Sequence, residues 1–294
     1  MREKHFGMRG KMKKKDSPLY ALIYLSAALS VVLLAIILIY VFWKGIGVVS
    51  FPFLTQVKST LKGTNGIAGN ILNTIYIVVI TLLFAAPLGI GCAIYLNEYA
   101  KPGRFVRLVE FTTQTLAGIP SILFGLFGML FFGAVLDLGY SILTGCLTLT
   151  LMILPLIIGN TREALKAVPD SYRQGAAGMG ATKWYMIRTI LLPSAMPGIV
   201  TGLILSVGRI VGESAALLFT AGSGYLLPDG VKGLWDKIFT SGGTLTIELY
   251  LSMANARYEV AFGIALVLLI IVFLINLLTK LIIGKWSKYG FNKD

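Results

Sequence analysis

Six stretches of this chain are apolar over about 20 residues or more, the length an α-helix needs to cross a hydrocarbon layer of about 30 Å. They run from Leu19 to Trp43, about Asn70 to Leu96, Thr112 to Phe132, Gly139 to Gly159, Ala195 to Phe219 and Val260 to Ile283. Lipid offers the backbone no hydrogen bonds, so segments of this kind must satisfy their own N–H and C=O groups as helices. Composition agrees: 13% of residues are charged and 56% are hydrophobic, against a charged share of about 25% in soluble domains. The expectation is an all-α polytopic membrane protein with six transmembrane helices. A soluble enzyme, a disordered tail and a free nucleic-acid binder are excluded.

Six spans place both termini on one side, and Lys and Arg choose the side. Nineteen of them fall on the face that holds the termini, counting Lys280 at the rim with the last tail, and six fall opposite. Seven lie in the first tail: Arg2, Lys4, Arg9, Lys11, Lys13, Lys14 and Lys15. Both tails are therefore expected in the cytoplasm, and the net charge of +13 belongs mainly to that rim. The domain plan is a basic tail (1–18), a first span (19–43), a core of five spans (70–283) and a basic tail (284–294). The core carries an inner connection (160–194) and an outer one (220–259). The first stretch is too long for a signal peptide and lacks its small-residue cleavage site, so it reads as a retained span. A short helix is expected at Thr244–Ala256, lying on the membrane surface.

Cys92 and Cys146 sit inside apolar stretches as packing or lipid-facing residues, and the single histidine, His5, lies in the basic tail. Without a His or Cys cluster there is no metal, haem or iron–sulfur site. The chain has no Gly-x-x-x-x-Gly-Lys-Ser/Thr phosphate loop.

The inner connection has its own design. Pro169, Asp170 and Ser171 form a helix start signal. Gly175, Ala176, Ala177 and Gly178 follow, a surface that another backbone can approach closely, and Gly180 can turn the chain out. Trp184, Tyr185 and Ile187 form an apolar side able to enter a partner's groove, before Pro193 and Pro197 mark the return to the membrane. An amphipathic loop held on the headgroups by Lys183 and Arg188 fits these residues equally well.

Spacing adds a resemblance. The stretch is similar to the EAA loop of ABC importer permeases, with Gln174, Gly175 and Ala176 in the opening positions, then Gly180, and Ile190, Leu192 and Pro193 at the end. Gln and Gly depart from the usual Glu and Ala. Four further blocks resemble phosphate-importer permeases of the PstA family: Tyr95–Ala100, Ala117–Gly128, Glu163–Pro169 and Gly208–Glu213. The resemblance implies a type I importer fold, a PstC-like sister permease in a heterodimer and two copies of a PstB-like ATPase. It also implies a PstS-like phosphate-binding protein outside the membrane. No cofactor is expected in this chain; ATP and Mg would act at the partner ATPase. Gln174, Gly175, Ala176, Gly180, Ala181, Thr182, Leu192 and Pro193 would then form the ATPase-coupling loop.

Arg209 and Glu213 are the ionisable pair deep in a predicted span, each costing about 2.5–3.5 kcal/mol at a helix centre on insertion scales. Their i,i+4 spacing puts both on one helical face, where they can pair. One reading is a structural ion pair; the other is a charged lining of the substrate path. A guanidinium grips an oxyanion with two parallel hydrogen bonds. A carboxylate can accept the O–H that phosphate keeps and sulfate lacks. Ser206 and Ser214 are polar candidates nearby, although hydroxyls in membrane helices often bond their own backbone. Gly118–Gly128 reads either as a helix interruption lining the path or as a packing face. Glu98, with Lys101, Arg104 and Arg107, reads as a solvated rim. Asp137, Asp229, Asp236, Glu248 and Glu259 read as outer-face charges able to seat a binding protein. Rival functions are a permease for molybdate, sulfate or phosphonate, a secondary transporter, and a membrane enzyme. No acid pair or nucleophile–base set supports the last.

Overall fold

The computed structural model describes residues 17–59, 63–101, 103–228 and 230–290, with 17–19, 230–231, 278–280 and 282–290 described as backbone alone. The basic residues from Arg2 to Lys15, together with His5, Asp229 and Lys293, lie outside the described residues. Among the described residues five helices are long and apolar enough to cross a membrane, or six passages if one bent pair counts as a span. The same residues hold one small hairpin and are otherwise mainly helical.

Helix α1 (Ser17–Ile46) shows apolar side chains nearly all round, among them Leu22, Leu25 and Leu29. It packs mainly on the last helix, where the rings of Tyr40 and Phe262 meet edge to face at 5.5 Å. A one-turn helix, α2 (Phe51–Thr55), then leads into β1 (Val57–Ser59) and β2 (Thr64–Ile67). These strands pair antiparallel, with Lys58 opposite Asn65 and Ser59 opposite Thr64. Helix α3 (Ala68–Ile94) crosses next and ends in a π-helical turn, Tyr95–Tyr99.

The third apolar stretch is not one straight span. Helix α4 (Arg104–Ala117) and helix α5 (Ser121–Gly128), the latter extended by a π-helical segment to Val135, meet at 102°. Pro120 causes the break: it lacks an N–H and disfavours helical geometry at Ile119. Gly118–Gly128 combines a helix interruption with a packing face. The interruption is real, and Gly125 and Gly128 lie against Ala216 and Thr148, so the same block also packs.

Helix α6 (Ile142–Lys166) is the central post, with Ile142, Leu149, Ile153, Ile157 and Leu165 buried. Its start is capped by Ser141 Oγ, which accepts from the Thr144 N–H. It runs past the expected end at Gly159 because Thr161–Lys166 contains no breaker before Pro169. The extension carries Arg162, which pairs with Glu110 of α4.

A short connection holds α7 (Asp170–Gly178), after which the chain is helical from Lys183 to Val211. This stretch comprises α8 (Lys183–Met186), a π-helical turn (Ile187–Leu191) and α9 (Leu192–Val211). The fifth span therefore begins before Ala195 and stops at Val211, not Phe219. Pro193 lies inside this continuous helix, and the π-helical turn directly before it marks where the regular ladder is interrupted. Helix α9 descends antiparallel against α6 with almost no space between them. A Cβ on Gly198 would lie 2.6 Å from the Ala164 Cβ, and one on Gly202 would lie 2.6 Å from the Asn160 Cβ. Between membrane helices such close contact, not water exclusion, supplies the packing energy.

After a break at Gly212–Ser214 come α10 (Ala215–Thr220), α11 (Gly230–Asp236), α12 (Leu245–Ala254) and α13 (Tyr258–Gly290). The expected surface helix exists, but it does not lie on the membrane. Leu245, Ile247, Glu248 and Ser252 of α12 are buried, and the helix packs on α13 and α3. The preceding strand of chain is pulled inward by α3. Asn70 Nδ2 donates to the Gly243 carbonyl at 3.0 Å, and Asn73 Nδ2 donates to those of Gly224 at 2.8 Å and Gly243 at 3.1 Å. Glu248 is thus no outer-face charge. It accepts from Lys58 of β1 at 2.9 Å and from Arg257 at 3.2 Å. Asp137, Asp236 and Glu259 are exposed, as expected of solvated charges.

Candidate functional site

A cleft of about 420 Å³ opens where the α4–α5 elbow faces α6 and the end of α9. Apolar side chains dominate its lining, including Leu116, Ile119 and Phe124, and its polar members are Asn160, Glu163 and Arg209. Along α6 the lining runs from Met152 to Glu163, about 16 Å at the helical rise. Because Gly202 lies against Asn160 and the helices are antiparallel, Arg209, two turns further along α9, stands at the level of Met152 and Ile153. The groove therefore has a cation toward one end and a carboxylate at the other, near the α6–α7 connection.

Arg209 is exposed to this groove, and among the described residues it enters no hydrogen bond or ion pair. A guanidinium carries five N–H donors and no acceptor. Left unpaired in a largely apolar cleft, it is equipped to take an oxyanion with two parallel hydrogen bonds.

Glu213 is not its partner. The helix ends at Gly212, so the i,i+4 geometry expected of an unbroken span does not form. Glu213 is buried beyond the break, where its Oε1 accepts from the Ala216 N–H at 3.1 Å and so caps the start of α10. Its backbone carbonyl accepts from Thr246 Oγ1 at 2.8 Å, joining the break to α12. Ser206 is buried and donates to the Gly202 carbonyl at 2.9 Å, its own backbone one turn back. Ser214 takes the N-cap position of α10 without a side-chain cap bond.

The connection between α6 and α8 presents a second surface. Gln174 and Gly175 are exposed, Ala176 is buried beneath them, and a Cβ on Gly175 or Gly178 would meet nothing within 4 Å. Gly180 turns the chain with φ +74°, a conformation that L side chains rarely adopt. The Ala181 N–H returns to the Ala176 carbonyl at 3.0 Å, and Thr182 caps α8 by accepting from the Tyr185 N–H. Met179, Trp184 and Tyr185 are exposed alongside, whereas Ile187, expected on the same apolar side, is buried in the protein. Leu192 is half-buried and Pro193 exposed at the start of α9. A small-residue helix face rimmed by large apolar side chains is a docking surface in shape.

Glu98 does not lie on a solvated rim. Its side chain is covered in the π-helical turn that follows α3, where it accepts from Arg173 Nη2 at 2.9 Å and Nε at 3.3 Å. In the connection between α10 and α12 Lys237 is buried. Its ammonium donates to the Ser241 carbonyl at 3.3 Å, and desolvation pulls its pKa below the usual lysine value. Sequence reasoning did not single out Asn160 and Glu163 as cleft residues; the signal was present as an i,i+3 polar pair on a helix that does not stop at Gly159.

Residues 85–287 match the family described as binding-protein-dependent transport system inner membrane component. The chain is 37% identical over 198 residues to the "Probable ABC transporter permease protein YqgI" of Bacillus subtilis, covering 67% of each. It is 34% identical over 239 residues to the "Phosphate transport system permease protein PstA 1" of Mycobacterium tuberculosis H37Rv, covering 80% of this chain and 72% of that one. Among solved structures, a bacterial alginate ABC transporter in complex with its periplasmic protein superposes with TM-score 0.67 at 17% identity. That match covers 91% of this chain and 94% of the other. The MetNI methionine transporter superposes with TM-score 0.61 at 21% identity, covering 75% and 95%.

Proposed function

The chain belongs to the binding-protein-dependent transport system inner membrane components, and from that premise we propose that this ABC importer permease carries inorganic phosphate inward. The observation that carries the substrate is Arg209, an unpaired guanidinium in a mostly apolar cleft, together with the likeness to phosphate permeases. The oxyanion docks on Arg209 and leaves along α6 past Asn160 and Glu163. The apolar lining keeps the single cation from being diluted by water, yet one guanidinium does not hold the anion too tightly to release.

Both termini face the cytoplasm in this reading, in keeping with the Lys and Arg bias. A partner ATPase of the PstB kind, with ATP and Mg bound to it, docks on Gln174–Thr182. A PstC-like sister chain completes the path, and a PstS-like binding protein delivers phosphate from outside. Movement of the docking surface passes directly into the continuous helix from Lys183 and switches access to the cleft. Glu213 does not line this cleft; we infer that it discriminates when access switches and opens the break at Gly212–Ser214, its carboxylate then accepting a hydrogen bond from the phosphate O–H that sulfate lacks.

The test is energised uptake of labelled phosphate by cells lacking this chain, complemented with wild type, Arg209→Ala or Glu213→Gln, with sulfate and molybdate as competitors. Losing a paired, charge-assisted contact is expected to lower uptake by about a hundredfold, roughly 2.7 kcal/mol. Full uptake by Arg209→Ala removes that residue from the path. Unchanged phosphate preference in Glu213→Gln removes the discriminator. Competition by molybdate or sulfate at equal concentration transfers the assignment to another oxyanion.

A further inference from the structure

Two sequence blocks, Tyr95–Ala100 and Glu163–Pro169, of which the transport reading uses Glu163 alone, converge on a single side chain. Arg173 of α7 donates through Nε and Nη2 to Glu98 Oε1, through Nη2 to the Leu165 carbonyl at 3.0 Å, and through Nη1 to the Val168 carbonyl at 3.0 Å. Its remaining contact is Asp170 Oδ1 at 3.0 Å. The guanidinium thus closes the end of α6 and reaches across to α3 in one step. Glu98 is further held by Asn97 Nδ2 at 2.7 Å, and its side chain is 5% exposed. Beside it, Lys183 at the start of α8 places its ammonium 5.1 Å from the centre of the Tyr99 ring.

Helices α6 and α8 are joined to α7 by short lengths of chain, so they feel its movement directly. Helix α3 has no such covalent link. Among the described residues the Glu98–Arg173 ion pair is its polar attachment to α7, and it sits in a π-helical turn, a local geometry often found where helices must adjust. At its far end, about 40 Å away at the helical rise, α3 grips the Gly224 and Gly243 carbonyls through Asn70 and Asn73.

We propose that Glu98 and Arg173 form the joint that passes movement of the docking helix into α3, which carries it as a rod to the outer connection. Glu98 and Arg173 are positioning residues in this scheme and touch no substrate. The inference rests on the docking role proposed above for Gln174–Thr182.

The experiment uses the complete importer in proteoliposomes, with its ATPase and binding protein, and compares wild type, Glu98→Gln and Glu98→Asp. ATP hydrolysis and labelled phosphate uptake are measured on the same vesicles. Glu98→Gln keeps an acceptor and the volume but loses the charge. The expected result is intact subunit association and hydrolysis close to wild type, with uptake per ATP down about tenfold, the scale of one charge-assisted hydrogen bond. Glu98→Asp, which keeps the charge on a shorter stem, is expected to recover part of it. Unchanged uptake per ATP in Glu98→Gln overturns the joint. Joint loss of association, hydrolysis and uptake also overturns it, in favour of a static brace.

A wild-type complex that hydrolyses ATP without moving phosphate counts against the phosphate reading alone. The joint is then judged by amide hydrogen exchange along α3 after trapping with ATP and orthovanadate. A change present in wild type and absent in Glu98→Gln supports it; equal behaviour overturns it.

Discussion

Lys58 and Glu248, 190 residues apart, meet at 2.9 Å and pin the hairpin after α1 onto the buried start of α12. The carboxylate is almost fully covered, while its two cationic partners, Lys58 and Arg257, keep part of their surface in solvent. Burial on one side and exposure on the other make the pair unequal. Removing Glu248 leaves two cations that water can reach, whereas removing Lys58 and Arg257 together would strand a buried anion.

That asymmetry sets the first expectation. Glu248→Ala should lower stability by about 2 kcal/mol, below the range for a fully buried pair because the cations rehydrate. Lys58→Met with Arg257→Met should cost more than Glu248→Ala. Thermal unfolding of the purified chain in one detergent ranks the three. Equal or inverted costs would show that Glu248 is hydrated despite its position.

The contact between α6 and α9 yields the second. Gly202→Ala forces a methyl to within 2.6 Å of the Asn160 Cβ, an overpacking expected to cost about 1–3 kcal/mol. Gly208→Ala, on the same helix with open space around it, should change stability by no more than about 0.5 kcal/mol. Midpoints of thermal denaturation separate them, and a harmless Gly202→Ala would mean that the helices stand further apart than described.

Lys237 gives a pH dependence. Burial lowers its folded-state pKa from 10.5, so between the folded and unfolded values the unfolded chain binds more protons. Stability therefore rises as pH climbs through the lowered value and levels off above 10.5. Lys237→Met should raise the unfolding temperature at neutral pH and flatten that alkaline rise. An identical pH profile in the variant would show that other groups produce it.

Glu213 offers a test of local structure separate from transport. Its Oε1 accepts from the Ala216 N–H at the start of α10 in place of an N-cap side chain, so Glu213→Ala should cost about 1 kcal/mol, the scale of a lost cap. Glu213→Gln keeps a side-chain acceptor and should cost less. Similar losses in both would assign the stability to charge instead of capping.

The spans were legible because hydropathy over helix-length windows is a coarse, additive property that survives errors at the ends. Even the elbow was half-written in Ala117–Pro120, since proline announces a break. The extension of α6 was not legible to hydropathy, because Thr161–Lys166 is polar and yet fully able to form helix. The hairpin was hidden by its brevity. Glu98 and Glu248 looked like surface charges because their partners, Arg173 and Lys58, lie 75 and 190 residues away. The Arg209–Glu213 pairing failed for the opposite reason: four residues of spacing imply contact only while the helix continues, and Gly212 ends it. The local shape of the connection between α6 and α8 was the most legible part, because a proline start, small residues and a glycine turn each act locally.

The near-isolation of α1 has a consequence for how the molecule is made. Its main neighbour, α13, begins at Tyr258, about 210 residues after α1 ends at Ile46. At about 5–20 residues per second, the first helix leaves the ribosome and waits tens of seconds before the surface it packs on exists. Through that interval it must live in lipid on its own terms, which its largely apolar surface allows, with Ser26 and Ser30 donating to carbonyls of the helix itself. For these two helices synthesis and assembly are far apart in time: α1 is made long before α13, and the contact between them forms only when α13 arrives.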